Sequence, residues 1–394
     1  MALSESLRSQ GQQEASLLEA IRAADRELTR HPVFGDSKRI HALVLERYKF
    51  GLELFAERLP AVAALLPSLT EGGDARARRL YRDPLVRKVM EAAFKKLEQG
   101  ALVAPQAELE EILSLAAEAL KRTDVDGPCE ARMSRRFRVG PRQDTWVWSF
   151  DHAEDPVLRE LREGFDRAFS SRGSRPGRII QPEPEQVARL DRACTLLARV
   201  LPEVGSSALG HIRSICLLEV EVEGGKMMSA SGGDGIPSTV FMSPEQLRNP
   251  WDAAGHLLHE GLHLKLFDVV RAHTLVEPHS APLEIPWRDI PWPMVRAIFA
   301  FHVYAHIELY RAAVDQADAG LLREFGEPGS YTDNRHAMSV SRNNGSVPYG
   351  LSVERTRFLG KHLRTTWASR LTPEGLQLTR WLQQCLAPFV DWDA

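Results

Sequence analysis

The sequence predicts a mainly α-helical protein of the α+β class, with one small antiparallel β-sheet next to the helix that carries His259-Glu260-Gly261-Leu262-His263. Helical periodicity fills both ends of the chain, whereas strand-like pattern is confined to a few short stretches. The 394 residues are 43% apolar and 26% charged, which is enough to bury a sizeable core and excludes disorder as the main state. At roughly 100–200 residues per domain, that length suggests two domains, or one large domain with an appendage.

In the first third, Leu17, Leu18, Ile21 and Leu28 recur at helical spacing, and Leu45, Tyr48, Leu52 and Phe55 continue the pattern. AERLPAVAALLPSL and ELEEILSLAAEALKR add strong helix formers. His31 and His41 stand alone here and read as solvated or packed side chains. The cluster TDVDGPCEARM, residues 123–133, marks a boundary, giving a helical region over 1–125 and a second domain over 126–394. A basic stretch follows, with Arg132, Arg135, Arg136, Arg138 and Arg142. It reads as a solvated face or as a patch for an acidic partner. TWVWSFD, residues 145–151, alternates Trp146, Trp148 and Phe150 and reads as a strand. Residues 154–172 and 183–202 return to helix. Strands are expected at 215–223, 226–231 and 238–242, around a Gly-rich loop at 232–237 that lacks the phosphate-binding pattern. From 250 the chain reads as helix to its end, interrupted by a polar loop at 326–349.

Net charge is −3, from 50 basic and 53 acidic residues, which argues against a dedicated nucleic-acid binder. Cys129, Cys194, Cys216 and Cys385 form no CxxC and read as reduced thiols. No secretory signal and no membrane span is visible, so a cytoplasmic location is expected.

The chemistry concentrates after residue 253. His259 and His263 stand four apart, so on a helix they share one face and can grip one metal ion. Glu260 is turned about 100° from His259 and suits a metal-bound water or an outer position. His256 reads as an outer residue or a helix-edge cap. Two histidines are an incomplete site, and the distant zinc-protease spacing fails because Leu266 and Val269 hold its later positions. The helix AIFAFHVYAHIELY offers His302, His306 and Glu308 as third ligand, with His302 preferred. Between the two helices, EPHSAPLEIPWRDIPWPM is a proline-stiffened crossover. Arg288 lies in it between Trp287 and Trp292, either as a carboxylate clamp or as a surface arginine packed on tryptophan.

These residues resemble a family. SASGGDGIPSTVFMSP, then HEGLHLKL, then the PWR segment and a histidine-bearing helix are similar to the HExxH peptide-modification proteins of ribosomal peptide natural-product pathways. More specifically, they resemble the 2-oxoglutarate-dependent HExxH hydroxylases, over about residues 145–380, including TWVWSFD and LTPEGLQL. The resemblance implies an Fe(II) site held by His259, His263 and His302, with Glu260 as the active-site carboxylate. It implies 2-oxoglutarate as co-substrate and β-carbon hydroxylation in a precursor peptide or on a carrier-bound amino acid. Its far carboxylate needs a cation, and Arg288 and then Arg357 are preferred over Arg296, Arg335 and Arg342. Ser229, Ser231 and His306 are expected to meet substrate, the first two by strand pairing. Two other readings stay open: a Zn peptidase with Glu260 as general base and Glu308 as third ligand, or a non-catalytic peptide-binding module.

Overall fold

The computed structural model describes residues 2–56, 60–63, 67, 82–98, 111, 114–115, 137–142, 145–147, 159, 162–167, 177–219, 221–222, 225–226, 229–233, 235–329 and 349–393. The chain is mainly helical with a small mixed sheet and a two-stranded ribbon among the described residues, as an α+β protein should be. Its principal helices are α1 (Ala2–Arg30), α2 (Ser37–Ala56), α3 (Pro84–Glu98), α4 (Pro184–Val200), α5 (Pro202–His211), α6 (Pro250–Ala272), α7 (Met294–Asp315), α8 (Ala319–Phe325), α9 (Ser352–Arg364) and α10 (Pro373–Leu386). Its strands are β1 (Phe137–Val139), β2 (Thr145–Val147), β3 (Arg178–Ile180), β4 (Ser214–Glu219), β5 (Glu221–Val222), β6 (Gly225–Lys226), β7 (Ser229–Ser231) and β8 (Thr239–Met242). No helix among the described residues is long and apolar enough to cross a membrane.

The residues form two compact units. One comprises 1–37, 195–208 and 249–394, and the other 38–194 and 209–248. The boundary expected at 125/126 falls outside the described residues, as do Cys129, Arg132, Arg135, Arg136, Arg335, Arg342 and positions 148–151 of TWVWSFD.

The second unit holds the sheet, in the order β1-β2-β4-β8-β7, with β3 also on β4. The expectation of an antiparallel sheet is corrected: the sheet is mixed. β4 runs parallel to β2 and to β8, pairing Ser214 with Thr239 and Leu217 with Met242. The reason is a reversal at the Gly-rich loop, where β7 pairs antiparallel with β8 and returns the chain alongside β4 in the same direction. Gly232 makes that turn possible, since a Cβ there would lie 2.1 Å from the Ile236 carbonyl oxygen. β5 and β6 form a separate two-stranded ribbon, where the sequence predicts only the end of a strand at 215–223 and the start of one at 226–231.

The first unit is helical, and α6 is its centre. Asn249 caps α6 by accepting from the Trp251 and Asp252 amides, and Pro250 occupies the first helical turn, where a missing N–H is harmless. Trp251, Leu257, Leu258, Leu262 and Leu266 are buried, and so is most of the rest of the helix. α7 packs antiparallel on α6: Phe299 meets Phe267 at 4.6 Å between ring centroids, and the Tyr310 hydroxyl donates to the Trp251 carbonyl at 2.8 Å. The crossover between them doubles back on itself. Leu283 and Trp292 exchange backbone hydrogen bonds of 2.7 and 2.8 Å, which sets Pro286-Trp287-Arg288 in the returning loop.

Candidate metal centre

The helix pitch sets the site. His259 and His263 lie on one face of α6, their ring centroids 4.9 Å apart and their planes at 68°. One donor atom from each of His259, Glu260 and His263 lies within 4.8 Å of the other two. Two ligands bonded at about 2.1 Å to one ion are separated by at most ~4.2 Å. The Glu260 carboxylate therefore reaches an ion through one bound water. Both histidine rings are half-buried, while Glu260 is buried.

Burial holds these imidazoles in the ligating state. Desolvation disfavours the imidazolium of His259 and lowers its pKa, against the opposing pull of Glu260. The His263 pKa falls well below the usual value, chiefly by burial and then through His259 and Arg296. His256, one turn before His259, is buried and pushed down to about 3 for the same reason, with His259 adding to it. Neutral rings offer lone pairs, so the pair is ready for a cation.

His302 and His306 stay outside the group formed by His259, Glu260 and His263. They pair with each other on α7, at 4.6 Å between ring centroids. The His306 Nδ1–H donates to the His302 carbonyl at 2.7 Å, which leaves Nε2 as the lone-pair nitrogen of a neutral ring. Burial pushes the His306 pKa down to about 3. Glu308 is committed elsewhere: it is buried, ion-paired to Arg311 at 3.0 Å, and accepts a hydrogen bond from Ser352 of α9. Burial raises the Glu308 pKa, and Arg311 works against that rise.

The rotation of α7 explains which arginine reaches the metal helix. Phe299 stacks on His263, with centroids 6.0 Å apart, and the Arg296 charge is felt at His263. Tyr304 is turned about 140° from Phe299 and faces α9 instead. Arg296 is thus the cation beside the histidine pair. Its guanidinium is exposed and sits 4.7 Å from the Trp292 ring centroid, with that of Arg288 at 5.5 Å. Arg288 is an exposed arginine packed on tryptophan, the second of the two arrangements expected for it. Arg357 is half-buried on α9, where its charge acts on Glu308. Arg355, two residues earlier, is the buried guanidinium of that helix, only 1% exposed. Sequence reading missed it, although its spacing of four and eight residues from the buried Leu359 and Leu363 marks it as core-facing.

Ser229 and Ser231 are half-buried on β7, the outer strand of the sheet among the described residues. They belong to the unit that holds the sheet, whereas the histidines belong to the other.

Beneath the site, the Lys265 ammonium donates to the Gly35 carbonyl at 2.6 Å and to the Ser207 hydroxyl at 2.9 Å, tying α6 to the α1–α2 turn and to α5. Burial brings its pKa down to about 7, partly offset by Asp36. These bonds fix the rotation of α6 and with it the direction of His259 and His263.

No known protein-family description matches this chain, and comparison with curated proteins returns no match.

Proposed function

We propose that this protein is a non-haem Fe(II), 2-oxoglutarate-dependent dioxygenase that hydroxylates the β-carbon of an amino-acid residue in a peptide or on a carrier. The observation that carries the reading is the donor set: two neutral histidines and one carboxylate within 4.8 Å on a single helix. Two imidazoles on one helix face hold an ion and leave coordination positions open on iron(II), with the Glu260 carboxylate beside them. The ion, when bound, supplies activation of O₂ coupled to oxidation of the keto acid.

The protein's own residues do the rest. His259 and His263 hold the ion as neutral ligands, since burial keeps them unprotonated. Glu260, turned about 100° from His259, orients a water at the ion. Phe299, stacked on His263, shields one flank from solvent. Arg296 offers the fixed positive charge beside His263 that the far carboxylate of a five-carbon diacid needs. This assigns Arg296 the part first expected of Arg288 and Arg357. Cys194 and Cys216, both buried and in no disulfide, fit a reducing cytoplasm.

The zinc-peptidase alternative loses support because its expected third ligand, Glu308, is held by Arg311 and Ser352. The deciding experiment is anaerobic reconstitution with iron(II), followed by exposure to O₂ with 2-oxoglutarate and candidate peptides. Succinate formation coupled to a peptide mass gain of one oxygen supports the hydroxylase. Zinc-dependent cleavage without 2-oxoglutarate supports the peptidase, and absence of any turnover leaves a binding module.

A further inference from the structure

The solvent-reaching stripe of α6 continues past the metal pair. His259, His263 and Phe267 recur every fourth residue and so share one face. All three are half-buried, whereas Leu262, Leu264 and Leu266 between them are buried. Phe267 meets Phe299 of α7 edge-on at 4.6 Å between ring centroids, and Phe299 in turn stacks on His263 at 6.0 Å. Two phenyl rings thus continue directly from a histidine of the metal pair. One turn before Phe299, on the same face of α7, lies Val295, which is 40% exposed. Among the described residues, the large apolar side chains that stand exposed are Phe50, Ile290 and Val295.

Charged groups stand at the two ends of this apolar strip. Arg296 is exposed next to Val295, and its charge acts on His263. At the other end the Arg271 guanidinium lies 6.0 Å from the Phe267 ring centroid and pairs with Asp268 at 3.5 Å. Phe267, Phe299 and Val295 between them carry no side-chain donor or acceptor. A polar side chain laid on them gives up its water and receives no hydrogen bond from them, which costs free energy. An apolar side chain laid there leaves water with a gain.

We propose that Phe267, Phe299 and Val295 form an apolar subsite that takes the side chain of the residue to be modified, so that the substrate is a peptide presenting an aliphatic or aromatic residue. Because Phe299 packs on His263, a side chain resting on that ring lies next to the metal pair and not on remote surface. Aromatic rings receive both aliphatic and aromatic groups well, which sets the class and leaves the individual residue to the peptide. An acidic side chain is drawn to Arg296 instead, and that rival outcome separates an apolar subsite from an anion site. The inference rests on the metal reading of His259 and His263 for its place beside the chemistry. The preference for an apolar side chain is independent of which ion is bound and which reaction follows.

The test is ligand-observed NMR titration of the full chain with end-blocked Gly-Gly-Xaa-Gly-Gly peptides, in which Xaa is leucine, phenylalanine, asparagine or aspartate. The protein keeps the metal it carries and is held under argon without 2-oxoglutarate, so binding is read and turnover is not. The leucine or phenylalanine peptide should bind at least about tenfold more tightly than the asparagine peptide, the size expected when a large apolar side chain leaves water. Phe267→Ser should bring the apolar peptides down to the asparagine level. Because that change touches packing, Val295→Asp is the second variant. It alters an exposed position in the first turn of α7, where an acid suits the helix and the fold should hold, and it should weaken apolar binding about tenfold. Ile290→Ser, at a 75% exposed position in the crossover, should leave binding unchanged and so separates the subsite from general surface stickiness. Equal binding of the leucine, phenylalanine and asparagine peptides, tightest binding of the aspartate peptide, no binding of any, an unaffected Val295→Asp protein, or loss on Ile290→Ser would each overturn the proposal. Apolar preference without succinate formation under O₂ and 2-oxoglutarate keeps the subsite and removes the hydroxylase reading, and succinate formation without side-chain preference does the reverse.

Discussion

Gly261, inside the His-Glu-Gly-Leu-His turn, tests whether helix packing sets the geometry of the metal centre. An added Cβ would lie 2.8 Å from the Ala208 carbonyl oxygen, 3.0 Å from its carbon and 3.1 Å from its Cβ. Ordinary carbon contacts begin near ~3.5 Å, and the nearest atoms here are backbone, which cannot rotate away. Gly261→Ala therefore forces α6 and α5 apart by about 0.5 Å. Overpacking of this kind costs up to ~3 kcal/mol, while replacing glycine by alanine inside a helix returns about 1 kcal/mol. The net expectation is a loss of about 2 kcal/mol. Because a shift of about 0.5 Å matches the tolerance of a metal constellation, iron(II) affinity should fall as well. Urea unfolding followed by circular dichroism reads the first effect, and metal titration on the folded protein reads the second. A variant as stable as the parent, or more stable by the helix-propensity gain alone, would refute the argument that the glycine is there for close approach.

Alanine at His259 or His263 should abolish stoichiometric iron or zinc binding, whereas His302→Ala should retain it; metal analysis after dialysis decides, and metal loss on His302→Ala would restore the third ligand to α7. Arg296→Leu should raise the apparent Kd for 2-oxoglutarate at least tenfold, about 1.4 kcal/mol, with metal content unchanged and a smaller effect from Arg288→Leu. Acid should destabilise the metal-free protein through His256 and His306, whose folded pKa values are each about 3 against about 6.5 unfolded. Between those values the unfolded chain binds more protons, so stability present above about pH 6.5 is lost as pH falls, by about 2 kcal/mol per histidine at pH 5. Urea midpoints measured from pH 7 to 5 should show this slope, and His256→Asn with His306→Gln should reduce it, leaving the share of His259 and His263.

What the sequence made legible follows the range of the physics involved. The histidine pair was readable because a spacing of four fixes a shared helix face with no knowledge of the rest of the fold. The long helices were readable for a similar reason: Ile21 with Leu28, and Leu45 with Tyr48, are the buried sides of local periodicities. Strand pattern, by contrast, reports that a segment is extended and half-covered but not which neighbour it pairs with. Pairing β4 with β8 in parallel depends on backbone hydrogen bonds between residues 25 apart, such as Ser214 and Thr239, so the antiparallel expectation failed there.

Arginine is the instructive middle case. Arg357 stands second among the expected cations, while Arg355 on the same helix goes unnamed. A difference of two residues is about 200° of rotation, which separates a half-buried guanidinium acting on Glu308 from a buried one lying over Trp287. Counting back from Leu359 and Leu363 would have selected Arg355. The same counting along α7 from Phe299 would have divided Arg296 and His306 from Tyr304 and Glu308, and so assigned the first pair to α6 and the second to α9. Which helix each charge faces is therefore encoded in helical phase. What the sequence alone withheld was the identity of the partner helix on each face, and that is fixed by contacts such as Phe299 on His263 and Ser352 on Glu308.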